Sequence, residues 1–372
     1  MNFDLGFLGG GQLARMSIQA AQRMGLRCLS LDTAADTPAS QIAPSCQGSL
    51  DDADAIAAIL DQCDHVTLEN EFIPADALRE AFRRSGRDAS ILTPGIETLA
   101  TIQDKLLQRQ AYASAGVPSP RADALEMLMA SRGHIGQTLV LKARFGGYDG
   151  KGTRYARTDA EFDERTADLG DGSGWLAEGF VPFRRELAVM VYVSPTRRGC
   201  FPTMETVQTN HVCDLVFPVD DPATNARAQE VALAAVEAVH GMGLFGVELF
   251  ELESGEIFVN EIAPRPHNTG HYTLDWGGVS QFEQHVRLAM GFEPVIPAGA
   301  PTAMANILGV QGEPAVAAAL RAATRHPGVH AHWYGKREMR PGRKMGHLNA
   351  VGVPDVVDTV KLARADFLAA LA

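Results

Sequence analysis

Residues 145–152 read Phe-Gly-Gly-Tyr-Asp-Gly-Lys-Gly, with four glycines in eight positions. Ordering so many glycines costs chain entropy, and the usual return is a backbone able to approach something closely. The loop follows a strand-like run, residues 138–143, that carries Lys142. Backbone N–H groups of such a hairpin can close over phosphates, and Lys142 and Lys151 supply point charges for them. A plain surface hairpin is the other reading of this segment.

Acids recur at strand-like positions further on. Glu178 ends one run, Glu186 starts the next, and Glu248 lies within FGVELFEL. Asn260-Glu261 ends IFVNE after a turn at residues 253–256. Glu248 and Glu261 therefore sit on successive strands of one hairpin, where neighbouring strands can present both carboxylates on one face. Magnesium takes hard oxygen ligands, often one or two carboxylates plus substrate phosphate. A single Glu on a strand is more often a solvated residue, but both runs have apolar neighbours.

Two basic runs complete the set. Ala263-Pro264-Arg265-Pro266-His267-Asn268-Thr269-Gly270-His271 is stiffened by proline and crowded with donors. The second, Arg340-Pro341-Gly342-Arg343-Lys344-Met345-Gly346-His347, is also readable as a solvated turn. The chain has 45 acids against 33 bases and a net charge of -12, so an anionic substrate needs a local cation cluster of this kind. The same charge gives no global attraction to nucleic acid or anionic membrane.

A further phosphate signal is Gly9-Gly10-Gly11-Gln12-Leu13-Ala14, a turn between a strand and a helix, with Asp32 at the end of the next strand. Helix N-termini of this type favour anions. The pattern also suits a dinucleotide, which makes a nicotinamide-dependent oxidoreductase an alternative.

The elements that must carry these residues change character along the chain. Residues 3–8, 12–24 and 27–31 read strand, helix, strand, and further helices at 51–60 and 74–84 flank a strand at 65–68. This is a small doubly wound α/β domain. Residues 98–115 are helical. From residue 138 strands joined by glycine-rich turns, with one alanine-rich helix at 223–240, predict an α+β domain of largely antiparallel sheet. Strands at 302–309 and within 329–351, then a helix at 355–371, suggest a small third unit.

Hydrophobic residues make up 46% and charged residues 21% of the 372, an ordinary balance for a soluble globular chain of two or three domains. Cys28, Cys46, Cys63, Cys200 and Cys213 form no C-x-x-C pair and are odd in number, so reduced cytosolic thiols fit better than a disulfide framework or a zinc site. The N-terminus predicts no signal peptide, and no apolar run approaches the ~20 residues of a membrane helix.

GGGQLARM, FGGYDGKG, EGFVPFRRELAV, NEIAPRPHNTGH and RPGRKMGHLN together resemble the signatures of the 5-(carboxyamino)imidazole ribonucleotide synthetases, which are ATP-grasp enzymes. They fall in the expected order across essentially the whole chain. The resemblance implies a Rossmann-like pre-ATP-grasp domain at 1–97, an ATP-grasp domain at 98–300 with its glycine-loop subdomain at about 118–182, and a small C-terminal domain at 301–372. It implies a cytoplasmic homodimer that turns aminoimidazole ribonucleotide, bicarbonate and ATP into the N-carboxylated ribonucleotide, ADP and phosphate, in purine biosynthesis.

Site residues follow from the same resemblance. Lys105, Lys142, Gln208, Asn260 and the loop Gly147, Tyr148, Asp149, Gly150, Lys151, Gly152 and Thr153 fall at nucleotide positions. Glu178, Gly179, Phe180 and Val181 match the adenine segment, and Glu186 the acid on the ribose. Some members have histidine where this chain has Gln208, with His211 nearby. Glu248 and Glu261 match magnesium ligands. Tyr148, Asp149, Lys151, Arg265, His267 and Lys344 match the ribonucleotide site, with Arg343 beside them; Asp149, Arg265, His267 and Lys344 are the catalytic candidates. Another ATP-grasp ligase and a non-enzymatic nucleotide-binding scaffold are the remaining alternatives.

Overall fold

The computed structural model describes residues 2–131, 138–147, 152–312 and 315–371. The N-terminal sheet is parallel and five-stranded, in the order Ser45–Gln47, Cys28–Asp32, Phe3–Leu8, Cys63–Leu68, Leu92–Thr93. Its strands alternate sides as a pleat requires. Leu5 and Phe7 pack with Ala14, Ile18 and Ala21 of the helix Gln12–Arg23. Leu8 packs on the opposite face with Ile56, Ile59 and Leu78. Both faces are covered, as expected for a parallel sheet.

The glycine turn before Gln12–Arg23 serves the chain itself. Glu69, at the end of strand Cys63–Leu68, presents its carboxylate to the helix start and accepts from Leu13 N at 3.2 Å. A Cβ at Gly11 would lie 2.3 Å from Glu69 Oε1. Asp32 accepts from Gly10 N at 2.8 Å and Ala34 N at 3.0 Å. The Asp32 carboxylate and the Gly10 and Leu13 amides are thus engaged within the fold, where a dinucleotide pattern would leave them for a ribose and a phosphate.

The segment read as helical over 98–115 consists of two helices, Ile96–Gln103 and Lys105–Ala115. Asp104 between them is extended and caps the second, accepting from Leu106 N at 3.0 Å. Arg144 binds the same carboxylate through two nitrogens. A side-chain cap of this type satisfies amides that the helix start leaves unpaired.

Among the described residues, the glycine-loop subdomain is built on a four-stranded sheet in the order Ala122–Ala124, Trp175–Gly179, Leu139–Ala143, Thr153–Ala156. The central sheet is antiparallel. Among the described residues it runs Ile257–Ala263, Gly243–Leu252, Phe183–Val193, Met204–Thr209, Val212–Pro218, then Thr302–Leu308, Lys344–Val351 and Val329–Trp333. The helix Pro222–Ala238 lies on it through fully buried Ala228, Ala232 and Ala235, small enough for close approach to Val189, Phe245 and Val247. The C-terminal strands join this sheet directly, since Leu215 pairs Ala305 and Val216 pairs Met304. Lys344 is thereby delivered from the chain's far end to the central cleft.

Candidate active site

The N-terminal domain, the glycine-loop sheet and the central sheet together line a cleft of about 910 Å³. Lys105, Lys142, Gly147, Gly152, Thr153, Glu178, Gly179, Phe180, Val181, Glu186, Gln208, Glu248, Asn260, Glu261, Arg265, His267 and Lys344 all line it. Tyr148, Asp149, Gly150 and Lys151 lie outside the described residues. Arg343 does not line the cleft; its guanidinium donates to Glu338 O at 2.7 Å.

The two metal-type acids meet through a β-bulge. Leu249 pairs Val259 and Phe250 pairs Phe258, so a regular ladder would set Asn260 opposite Glu248. The register shifts at this point, and Glu261 becomes the partner of Glu248. Bulges re-aim side chains in this way. The displaced Asn260 carbonyl accepts from Arg109 Nη2 at 2.6 Å. Lys105 Nζ reaches Glu261 Oε1 at 3.1 Å. Burial acts to raise the Glu261 carboxyl, but Lys105, Lys142 and Arg265 outweigh it and hold the group below the ordinary carboxylate range. Two carboxylates across one rung form a donor set suited to a hard divalent cation beside phosphates.

Glu178 is 2% exposed, and its side chain is held by Arg109 at 2.7 Å and Lys142 at 2.7 Å. Burial alone would raise this carboxyl; the two cations lower it to about 2. The side chain therefore fixes Lys142 Nζ in the cleft wall. Glu186 is raised by burial and takes a hydrogen bond from Gln208. Asn210 and His211 occupy the following hairpin at φ 53° and 62°, so Gln208 and His211 both reach the cleft.

The acceptor side is built around His267, whose backbone is extended at φ −119° and ψ 153°. Arg265 and His267 both reach the cleft, as an extended stretch allows. His267 Nδ1 bonds Thr269 Oγ1 at 2.9 Å, and Nε2 lies 3.7 Å from Glu248 Oε1. Burial, with Arg265 and Lys344 nearby, keeps the imidazole well below its ordinary value and therefore neutral. The fork of Arg265 is already engaged: Nε and Nη2 bind the Glu71 carboxylate and Nη1 donates to Pro266 O at 3.1 Å. The two-pronged grip expected on a phosphate is used here on an acid of the N-terminal domain.

Sequence reasoning missed Glu69, Asn70 and Glu71, which line the cleft from directly after strand Cys63–Leu68. A signal was present. In an open parallel sheet, ligands bind beyond the carboxyl ends of strands where the order reverses, here between Phe3–Leu8 and Cys63–Leu68. Burial pushes the Glu69 carboxyl up to about 7.

The tight packing behind His267 gives a direct test. A Cβ on Gly246 would lie 2.3 Å from His267 Cβ, so Gly246→Ala must displace either the strand Gly243–Leu252 or the loop that carries His267. Turnover is expected to fall at least ~10-fold, since misplacing a reacting group by about 1 Å costs up to 10²-fold. Stability is expected to fall by ~1–3 kcal/mol, as in other overpacked sites. Steady-state rates and thermal unfolding check both, and an unchanged kcat would count against a role for His267.

Three family models match successive parts of the chain. The ribonucleotide synthetase preATP-grasp domain family matches residues 2–103, the ATP-grasp domain family residues 110–282, and the phosphoribosylaminoimidazole carboxylase C-terminal domain family residues 302–355. The chain is 38% identical to the N5-carboxyaminoimidazole ribonucleotide synthase of Mycobacterium tuberculosis (strain ATCC 25618 / H37Rv), over 93% of this chain and 82% of that protein. It is 40% identical to the synthase of the same name from Synechococcus elongatus, over 92% of this chain and 88% of that one. Its fold is similar to that of an N5-carboxyaminoimidazole synthase from Aspergillus clavatus solved with ADP and aminoimidazole ribonucleotide. The TM-score is 0.84 at 31% identity, covering 100% and 98% of the two chains.

Proposed function

Because the chain belongs to the N5-carboxyaminoimidazole ribonucleotide synthase family, we propose a division of labour within its cleft for that family's reaction. The enzyme carboxylates 5-aminoimidazole ribonucleotide with bicarbonate, consuming ATP, in purine biosynthesis, and uses magnesium. Bicarbonate is a poor electrophile. Its oxygen attacks the γ-phosphorus and ADP leaves, giving carboxyphosphate. Loss of phosphate then activates the carbon for the substrate amine, which forms the N–C bond and releases a proton.

The observation that carries the proposal is the junction at His267. The acids suited to the metal, Glu248 and Glu261, and the acceptor-side groups Arg265, His267 and Lys344 line one cleft, with His267 Nε2 3.7 Å from Glu248. Phosphoryl transfer and amine capture thus adjoin, which suits an intermediate that must be kept from water. Glu248 and Glu261 would hold magnesium, whose chemistry is to neutralise charge on the transferred phosphate. Lys105 and Lys142 hold the nucleotide phosphates, and the segment from Glu178 to Val181 holds the base. Glu186, with Gln208, takes the ribose. On the acceptor side, Lys344 supplies charge for the ribonucleotide phosphate, and neutral His267 orients the amine or takes its proton. Tyr148, Asp149 and Lys151 complete this side in the proposal.

The proposal includes a cytoplasmic homodimer. All five cysteines are free thiols, and among the described residues no helix is long and apolar enough to cross a membrane. A coupled ADP assay with each substrate omitted in turn tests the reaction. Release should require ATP, magnesium, bicarbonate and the ribonucleotide together. Release at full rate with formate or an amino acid in place of bicarbonate would point to a different ligase.

A further inference from the structure

Gln281, the first residue of the helix Gln281–Ala289, is fully buried and lies outside the cleft lining, yet its side chain holds the acceptor loop in three places. Its Oε1 accepts from His267 N at 2.9 Å, and its Nε2 donates to His267 O at 2.8 Å. The amide orientation is fixed by this pair, so Nε2 is also the donor to His271 Nδ1 at 2.7 Å. The loop accommodates it through Gly270, where a Cβ would lie 2.4 Å from Gln281 Oε1. Thr273 Oγ1 closes the circuit, accepting from Gln281 N at 2.9 Å and donating to Gly270 O at 2.6 Å.

The helix itself is anchored. Val286 and Ala289 pack into the core beneath the N-terminal sheet, and His285 Nε2 bonds Thr67 Oγ1 at 3.1 Å. Gln281 is therefore a rigid strut from the interdomain core to the backbone of His267. A primary amide matches both the N–H and the C=O of one residue, which neither a carboxylate nor an apolar side chain of similar size can do.

We propose that Gln281 is a positioning residue: it sets the His267 imidazole for its step with the amine and touches no substrate. The inference rests on the acceptor-side assignment of His267 above. Because Gln281 acts through His267, its loss should matter only while His267 is present.

The test is a double-mutant cycle on kcat with Gln281→Met and His267→Asn, alongside Michaelis constants for ATP and thermal unfolding. Gln281→Met should lower kcat by ~10- to 100-fold, the scale for a misplaced reacting group. The ATP constant should stay within ~2-fold, since the nucleotide half keeps its contacts. The double variant should turn over within ~2-fold of His267→Asn alone, the signature of coupled residues. Gln281→Glu keeps the volume and loses both N–H donors, so it runs the same cycle if the methionine variant does not fold. Multiplying defects, or a Gln281 variant with normal kcat, would overturn the clamp while leaving the carboxylase reading in place. His267→Asn at wild-type speed would overturn the His267 assignment and the clamp with it. A wild-type enzyme inactive on the ribonucleotide would overturn the functional reading itself.

Discussion

Arg265→Ala is expected to raise the Michaelis constant for aminoimidazole ribonucleotide at least ~10-fold, and that for ATP by less than ~2-fold, since leaving a partner group unsatisfied costs ~1–3 kcal/mol. The reason differs from a simple phosphate clamp. Arg265 binds Glu71 through two nitrogens, and Glu69 lines the cleft beside it. Removing the guanidinium leaves the Glu71 carboxylate uncompensated where a dianionic ribonucleotide must bind. Breaking a buried pair by deleting one partner is the costly case, whereas deleting both is often mild. Glu71→Gln combined with Arg265→Ala should therefore recover part of the lost affinity. A double variant as weak as Arg265→Ala alone would mean that Arg265 leaves Glu71 and grips the substrate directly. A change confined to the ATP constant would show that the cleft is divided differently.

Glu261→Gln should reduce turnover by ~10²- to 10³-fold or more, the scale for losing one preorganised group that balances transition-state charge. The fold should survive, because glutamine keeps the shape and the strand pairing with Glu248. Lys105 loses its partner at 3.1 Å, which leaves one extra uncompensated positive charge near the phosphates. ADP should still bind, but its dependence on magnesium should weaken, and activity should climb further with added magnesium than it does in wild type. Titration of ADP with and without the metal, together with rates across a magnesium series, checks this. Near-normal activity at limiting magnesium would remove Glu261 from the metal site.

Much of this site is legible in the amino-acid sequence, because its chemistry sits in compact segments. The glycine loop, the hairpin acids and the Arg265–His271 run each carry their signal within 14 residues or fewer. What is not legible depends on distant contacts. The hairpin is clear, but the bulge that brings Glu261 opposite Glu248 lies several residues from the turn and has no sequence signal of its own. Glu69 and Glu71 lie in a short ENEF segment whose importance appears only once the parallel strand order is known. Arg265 and Arg343 both look available for phosphate; one is committed to Glu71 and the other to a carbonyl outside the cleft. Gly9–Gly11 looks like a phosphate turn, and a carboxylate from the same domain occupies it. Helix 98–115 breaks at Asp104 because Arg144, 40 residues on, stabilises the cap. Gln281 has no local signal, since its partners are backbone groups on a neighbouring loop.

If ATP phosphorylates bicarbonate in this cleft on the way to carboxylating the amine, one bicarbonate oxygen must end in the released phosphate. Oxygen-18 bicarbonate follows that atom, with prompt mixing to limit exchange with water. In the presence of aminoimidazole ribonucleotide, ADP and the N-carboxylated product should form in equal amounts, and the released phosphate should carry one labelled oxygen. Phosphate without the label, or ADP release that ignores bicarbonate and the ribonucleotide, would rule out carboxyphosphate as the intermediate formed here.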